Sequence, residues 1–166
     1  MAGFELELRP VDFLTVGTVG PRGKRVFYLQ GAKGDRLVSL IVEKLQVSAL
    51  AEAIKELLRE LDERFPQPGA TEIDLADFDL ELRDPIQPEF RVAEIGLGYD
   101  EVSDLIVLVT QELISTEEEE AGRSPGVVRF WVGRSLMRAL AMYAETVVER
   151  GRPDPSKNGR IHYYWM

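Results

Sequence analysis

Leu37-Val38-Ser39-Leu40-Ile41-Val42-Glu43-Lys44-Leu45-Gln46-Val47-Ser48-Ala49-Leu50-Ala51 is the stretch in which the apolar period of the chain changes. Up to Val42 the apolar residues Val38, Leu40 and Val42 alternate, which places them on one face of a strand. From Val47 the period lengthens: Val47, Leu50, Ile54, Leu57, Leu58, Leu61 and Phe65 recur every three or four residues, while Glu52, Lys55, Glu56, Arg59 and Glu60 take the other side. That is a helix with one apolar stripe, and Pro66 ends it, because its ring disfavours helical geometry in the residue before it. A strand that runs into such a helix implies a sheet for the helix to cover, and so an α+β fold.

On the N-terminal side, Phe4 to Leu8, Phe13 to Val19, Arg25 to Gln30 and Leu37 to Val42 read as four strands of an antiparallel meander. Gly20-Pro21-Arg22-Gly23 and the stretch from Gly31 to Asp35 supply its turns. On the C-terminal side, prolines 66, 68, 85 and 88 bracket the acidic run from Glu72 to Asp84, a long connection with room for one short edge strand. Phe90 to Leu97, Leu105 to Thr110 and Val127 to Val132 are three further strands, the last two separated by a mobile-looking run from Glu117 to Glu120. A second helix carries Leu136, Met137, Leu140, Tyr143, Ala144, Val147 and Val148 on its stripe and stops at Gly151 and Pro153.

The strand-to-helix switch occurs twice. At an offset of ninety residues Val38, Leu40 and Val42 fall on Val128, Phe130 and Val132, Lys44 on Arg134, and Ala49-Leu50-Ala51 on Ala139-Leu140-Ala141. Two readings stay open, a true internal repeat with a pseudo-twofold axis and chance likeness between two amphipathic strand-helix units. The expected architecture is a mainly antiparallel sheet of about seven strands with two helices on one face. Residues 1–153 form one domain and residues 154–166 an aromatic tail.

A chain of 166 residues has the length of one domain. Its net charge of -9 argues against bare nucleic acid or an anionic membrane as partners, since both select for a basic face. With no cysteine and a single histidine it has neither a disulfide framework nor a zinc ribbon, and no metal site or cofactor is expected. The N-terminus lacks signal-peptide features, and the longest apolar runs, such as Leu105 to Val109, are far short of the roughly 20 residues that span a bilayer, so a cytoplasmic location is expected. One asparagine and many charges lean toward a thermophile, with biased genome composition as the competing cause.

The charge is unevenly spread. Residues 1–65 carry 10 basic and 10 acidic groups, residues 66–125 carry 3 and 16, and residues 126–166 carry 7 and 3. The acidic segments 72–84 and 117–120 read as solvated loops. Asp77, Asp79 and Glu81 have the spacing of a calcium loop but lack its turn glycine and distal glutamate. Arg134 and Arg138, one helical turn apart, are candidates with Arg129 for an anion site, because guanidinium forks suit phosphate and carboxylate; the competing reading pairs them with the protein's own acids. If Phe130 and Val132 face the helices, Arg129 and Trp131 face outward, and Tyr28 and Gln30 are candidates to join them on a binding or oligomer surface. Leu105 and Val107 are apolar opposite Ile106 and Leu108, and a second apolar face leaves homodimerisation open.

Catalytic signatures are absent: no nucleophile elbow, no phosphate-binding loop and no dinucleotide fingerprint. The glycines at 17, 20 and 23 sit on a predicted hairpin and serve its turn. His162 lies in the tail beside Tyr163, Tyr164 and Trp165, where a structural role outweighs a catalytic one, and the rings are expected to dock on the body or on a neighbouring subunit.

Gly17-Thr18-Val19-Gly20-Pro21, Phe27-Tyr28-Leu29-Gln30, Ser39 and Glu43-Lys44-x-Gln46-Val47-x-x-Leu50-Ala51 resemble the bacterial family catalogued as domain of unknown function 3090. Glu89-Phe90-Arg91-Val92, Leu97-Gly98-Tyr99-Asp100 and Gly151-Arg152-Pro153 fit it as well. The resemblance implies no particular activity; it implies neighbours that look like a histidine phosphatase and a kinase. Family members commonly continue after Gly-Arg-Pro into a Cys-x-x-Cys ribbon. Here Asp154 to Lys157 stand in that place, so zinc is not carried over. The expected function is a non-enzymatic binding or adaptor module for a partner protein or small ligand. The alternative is an enzyme of nucleotide or phosphate metabolism with an arginine-lined anion site.

Overall fold

The computed structural model describes residues 3–21, 23–67 and 72–150. Its strands are β1 (Glu5–Leu8), β2 (Phe13–Val19), β3 (Val26–Lys33), β4 (Arg36–Val42), β5 (Pro88–Asp100), β6 (Leu105–Glu112) and β7 (Val127–Val132). Its helices are α1 (Lys44–Arg64), α2 (Thr116–Glu120) and α3 (Arg134–Arg150), with a 3-10 turn at Leu75–Asp77. The period change after Val42 is sharp because Glu43 caps α1: its side chain accepts from the backbone of Gln46, whose own side chain accepts from Glu43 N–H at 2.8 Å.

The strands form one seven-stranded sheet in the order β1-β7-β6-β5-β4-β3-β2. The sheet is mixed, which corrects the expectation of a mainly antiparallel one: β1 pairs with β7, and β4 with β5, in parallel. The cause is connectivity. A strand that follows a helix crossing over the sheet re-enters in the same direction, and α1 with the connection after it makes such a crossover from β4 to β5. The meander has three strands, β2-β3-β4, because β1 leaves it and pairs with β7, Leu6 beside Val128 and Leu8 beside Phe130.

β1 and β2 end the strand order on opposite sides, yet only residues 9–12 separate them in the chain. Within that joint Val11 N–H donates to the Trp131 carbonyl at 2.8 Å and Asp12 N–H to that of Ala32 at 2.8 Å, so the two edges of the sheet are stitched together. β5 does the same on the other side in one continuous strand, pairing with β4 near Pro88 and Arg91 and with β6 from Val92 onward. The sheet therefore wraps around a core and has an inner and an outer side. At Gly31 a Cβ would stand 2.6 Å from the ring of Phe130; the missing side chain lets β3 and β7 approach across the interior.

The inner side holds Leu14, Leu40, Leu108, Phe130 and Val132, all buried, against Ile54 and Leu58 of α1 and Met137 and Leu140 of α3. α1 and α3 pack on each other, and α3 also on β2. Of the residues matched at the ninety-residue offset, Val38, Leu40, Val42, Val128, Phe130 and Val132 are buried, and Lys44 and Arg134 each open a helix. Among the described residues no helix is long and apolar enough to cross a membrane. The predicted helix stop at Gly151 and Pro153, and the tail with His162, lie outside the described residues.

Candidate functional site

The side-chain alternation of the strands gives the sheet two outer faces, one on β2-β3-β4 and one on β5-β6-β7 with β1. On the first, β3 presents Tyr28, Gln30 and Ala32, β2 presents Phe13, Thr15 and Gly17, and β4 presents Ser39 and Ile41. The acidic connection lies across them. Thr15 Oγ1 donates to the Leu80 carbonyl at 2.6 Å. Gln30 Oε1 accepts from Arg83 N–H at 2.7 Å, while its Nε2 donates to the Arg83 carbonyl at 2.9 Å and to Ser39 Oγ at 3.0 Å. A Cβ on Gly17 would stand 2.6 Å from Leu82, and the Arg83 guanidinium stacks 3.8 Å above the Phe13 ring.

This corrects two expectations. Gln30 faces outward but is fully buried, and with half-buried Tyr28 it belongs to a covered face rather than to the one that carries Arg129 and Trp131. Residues 78–84 are a strap held by hydrogen bonds to the buried side chains of Thr15 and Gln30 rather than a free loop. No edge strand forms in the described part of the connection, whose 3-10 turn is capped by Asp74 accepting from Ala76 N–H at 3.0 Å. The Glu117 to Glu120 run is likewise helical rather than loop-like. Ser115 and Glu118 form a capping box, and Arg123 pairs with Glu118 and with Glu112. The Ser115 N–H bond to the carboxylate, followed by Arg123, holds the Glu118 carboxyl below its ordinary range.

The second outer face brings Arg129 and Trp131 together with Leu105, Val107 and Val109 of β6, Gly96 and Gly98 of β5, and Glu7 of β1. Register sets the neighbours: Glu7, Arg129, Val109 and Gly96 lie in one row across the strands, and Trp131, Val107 and Gly98 in the next. Trp131 Nε1 donates to Glu7, and the Arg9 guanidinium stacks 3.9 Å above the Trp131 ring. Arg9 in turn pairs with Asp100 at 2.7 Å and donates to Ser103. The hydrogen bonds from Ser103 and Arg9 hold the Asp100 carboxyl below the ordinary carboxylate range. Arg129, Trp131, Leu105 and Val109 are half-buried, and among the described residues no hydrogen bond fastens a covering segment over them.

Arg134 and Arg138 are not on this face. They lie at the helix ends, where α3 begins and α1 finishes. Arg134 is 3 % exposed; its Nε donates to Asp104 at 2.9 Å, its Nη2 to Tyr99 Oη at 3.3 Å and its Nη1 to the Leu61 carbonyl at 3.4 Å, with Asp62 3.6 Å away. Arg138 pairs with both oxygens of Asp62, at 2.9 and 3.1 Å. Burial opposes the Arg134 charge, but the hydrogen bonds it donates to Tyr99 and Asp104 outweigh it and raise its pKa. Burial and the bond to Asp104 raise that of Tyr99. These arginines thus meet the protein's own acids, and Arg129 stands apart from them on the outer side of β7. Sequence reading could not find Glu7, Arg9, Tyr99, Asp62 or Asp104 as partners, because each meets its arginine or tryptophan through tertiary packing. Trp131 and Glu7 are 124 positions apart.

A family model described as a protein of unknown function, DUF3090, matches residues 6–159. The chain belongs to that family. No curated protein and no solved structure matches it. Within the span matched to DUF3090 lie the strap, both outer faces and the helix-end cluster, so all the geometry above falls inside the family's extent. In this DUF3090 chain the quoted motif residues serve the architecture: Gly17 seats Leu82, Gln30 fastens the strap and Gln46 caps α1. Gly20 and Gly23 take positive φ in the β2–β3 turn, as its tight geometry requires.

Proposed function

We propose that this protein is a non-enzymatic binding module that holds a partner protein on the outer face of β5, β6, β7 and β1, with Arg129 and Trp131 at its centre. One observation carries the reading. The two outer faces of one sheet are treated differently: that of β2-β3-β4 is fastened by residues 78–84 through hydrogen bonds to the buried side chains of Thr15 and Gln30, whereas the other carries half-buried Leu105, Val109 and Trp131 around buried Val107, with no such fastening among the described residues. Aromatic and arginine side chains amid apolar ones are the composition from which binding surfaces draw most of their energy. The reading takes the halves ending in α1 and α3 as related units, one with its outer face used internally and one with it turned outward. An arginine-lined anion site is less well supported, since Arg134 and Arg138 are already engaged by Asp62 and Asp104.

A photoactivatable residue at position 109, on the proposed face, and another at position 52, on the exposed side of α1, test this in cells. Position 109 should give a discrete cross-linked product that the Arg129→Glu change removes, and position 52 should not. Equal labelling from both, or none from 109, would sink the reading. Stabilisation by nucleotides or sugar phosphates in a thermal-shift screen, lost in Arg134→Lys, would favour the anion site instead.

A further inference from the structure

Strand register makes the two outer faces counterparts, residue by residue. On the covered face Gly17 pairs with Tyr28 and Tyr28 with Ile41, and in the next row Thr15 pairs with Gln30 and Gln30 with Ser39. On the other face Gly98 pairs with Val107 and Val107 with Trp131, and in the next row Gly96 pairs with Val109 and Val109 with Arg129. Arg129 and Trp131 follow Ser39 and Ile41 at the same ninety-residue offset that matches the two strand-helix units. The ladders between the halves are reciprocal as well: β1 runs parallel to β7, and the start of β5 runs parallel to β4. Gly98 therefore holds the place of Gly17. At Gly17 the missing Cβ makes room for Leu82, whose Cγ stands 2.6 Å from where that Cβ would be, and the next residue, Arg83, bonds through its backbone to Gln30 in the neighbouring row. A glycine in this place is a seat for a branched apolar side chain, and the residue beside that side chain is delivered to the row beyond. The neighbours of the second seat differ from those of the first. Gly98 and Trp131 are half-buried beside buried Val107, so the seat is apolar. Val109 stands in the place of Gln30 and cannot hold a backbone. Arg129 stands in the place of Ser39 and has no hydrogen bond or ion pair among the described residues, since Glu7, its neighbour in the row, accepts from Trp131 Nε1. A guanidinium fork suits a carboxylate.

We propose that the occupant of this face is an extended segment of a partner protein that seats a leucine-type side chain over Gly98, as Leu82 sits over Gly17, and gives Arg129 the carboxylate of a residue adjacent to that anchor. The proposal rests on the reading of this face as the binding surface and names the chemistry of the partner. The partner segment repeats from outside what the strap does from within, with a charge pair in place of the hydrogen bonds to Gln30.

Random-peptide phage display on the full chain provides the test. The selected peptides should share Leu, Ile or Met next to Asp or Glu, and should bind Gly98→Val more weakly by about tenfold or more. Gly98 lies in strand backbone without a positive φ, so the added side chain fills the seat without straining the main chain, and an unchanged thermal melt checks that the fold is kept. Should Gly98→Val fail to fold, Gly98→Ala replaces it, with a smaller loss in the same direction. Selection against Arg129→Glu should keep the apolar position and exchange the acid beside it for Lys or Arg. Glu52→Ala, on the exposed side of α1, should leave binding unchanged. Peptides without the apolar-acidic pair, peptides indifferent to the Gly98 variants, or no enrichment at all overturn the proposal. So does a cross-linked product from position 109 with twice the mass of the chain, which would assign the face to a second copy. If the product from 109 is lost in Arg129→Glu and kept in Gly98→Val, the seat is wrong and the binding surface stands. If 109 yields no product, the surface itself is wrong.

Discussion

The two outer faces of this sheet share one pleat and one wrapping direction, and they differ in what their middle strands present. β3 turns out Gln30, flanked by Thr15 and held by Ser39, and Gln30 and Thr15 satisfy the N–H and C=O of Arg83 and the C=O of Leu80 in the strap laid over them. β6 turns out Leu105, Val107 and Val109, which have no hydrogen bond to give, so an irregular backbone laid on them would lose its water without compensation. A sheet face thus selects its cover by chemistry: amide and hydroxyl side chains recruit a main chain, and apolar side chains recruit other side chains.

The largest expected effect in this comparison is at Gln30. Gln30→Ala strips three hydrogen bonds of a fully buried side chain, one buried and two part-buried, and leaves both backbone groups of Arg83 without their protein partner, and should cost about 2–3 kcal/mol in urea denaturation. Proteolytic cleavage between 78 and 84 should speed up with it. Next comes Gly17→Val, whose Cβ would stand 2.6 Å from Leu82; lifting that side chain should cost about 1–3 kcal/mol. If either variant were neutral, the strap would not be fastened as described and the contrast between the faces would collapse.

On the other face the same experiments should read smaller. Trp131→Ala forfeits the Arg9 stack and the bond to Glu7 and should cost about 1–2 kcal/mol, within reach of a thermal melt. Arg129→Ala, half-buried and without a hydrogen bond or ion pair among the described residues, should stay within about 0.5 kcal/mol of the parent. The smallest effect is one of pH. Because Ser103 and Arg9 depress the Asp100 carboxyl, the stabilisation it contributes is present above the ordinary carboxylate pKa of about 4 and fades as the pH falls through its lower folded value. A carboxyl-carbon titration should find Asp100 below that range and returned toward it in Arg9→Ala.

Much of the architecture was legible. The β1, β2, β4, β6, β7, α1 and α3 elements lie within a few residues of their predicted spans, because apolar period is a local property that each element must satisfy to bury one side. The outward direction of Arg129 and Trp131 followed from the same alternation. The Ser115-x-x-Glu118 capping box was also present in the sequence, and the acidity of the run after it masked the signal. What could not be read was who stands beside whom. The parallel pairing of β1 with β7 joins opposite ends of the chain through backbone hydrogen bonds, which carry little sequence information. The engagement of Arg134 and Arg138 by Asp62 and Asp104 depends on where two helix ends and one turn meet.

By itself, then, the sequence determined element types, their order, and the inner and outer assignment of residues along each strand and helix, since period and capping act within a few residues of each position. Only the tertiary structure decided that the sheet is mixed and closed through residues 9–12, that Gln30 lies under a strap, and that Trp131 lies beside Arg9 and Glu7. Those outcomes depend on contacts between segments far apart in the chain, where many partners satisfy the same local pattern and packing of the whole core selects one.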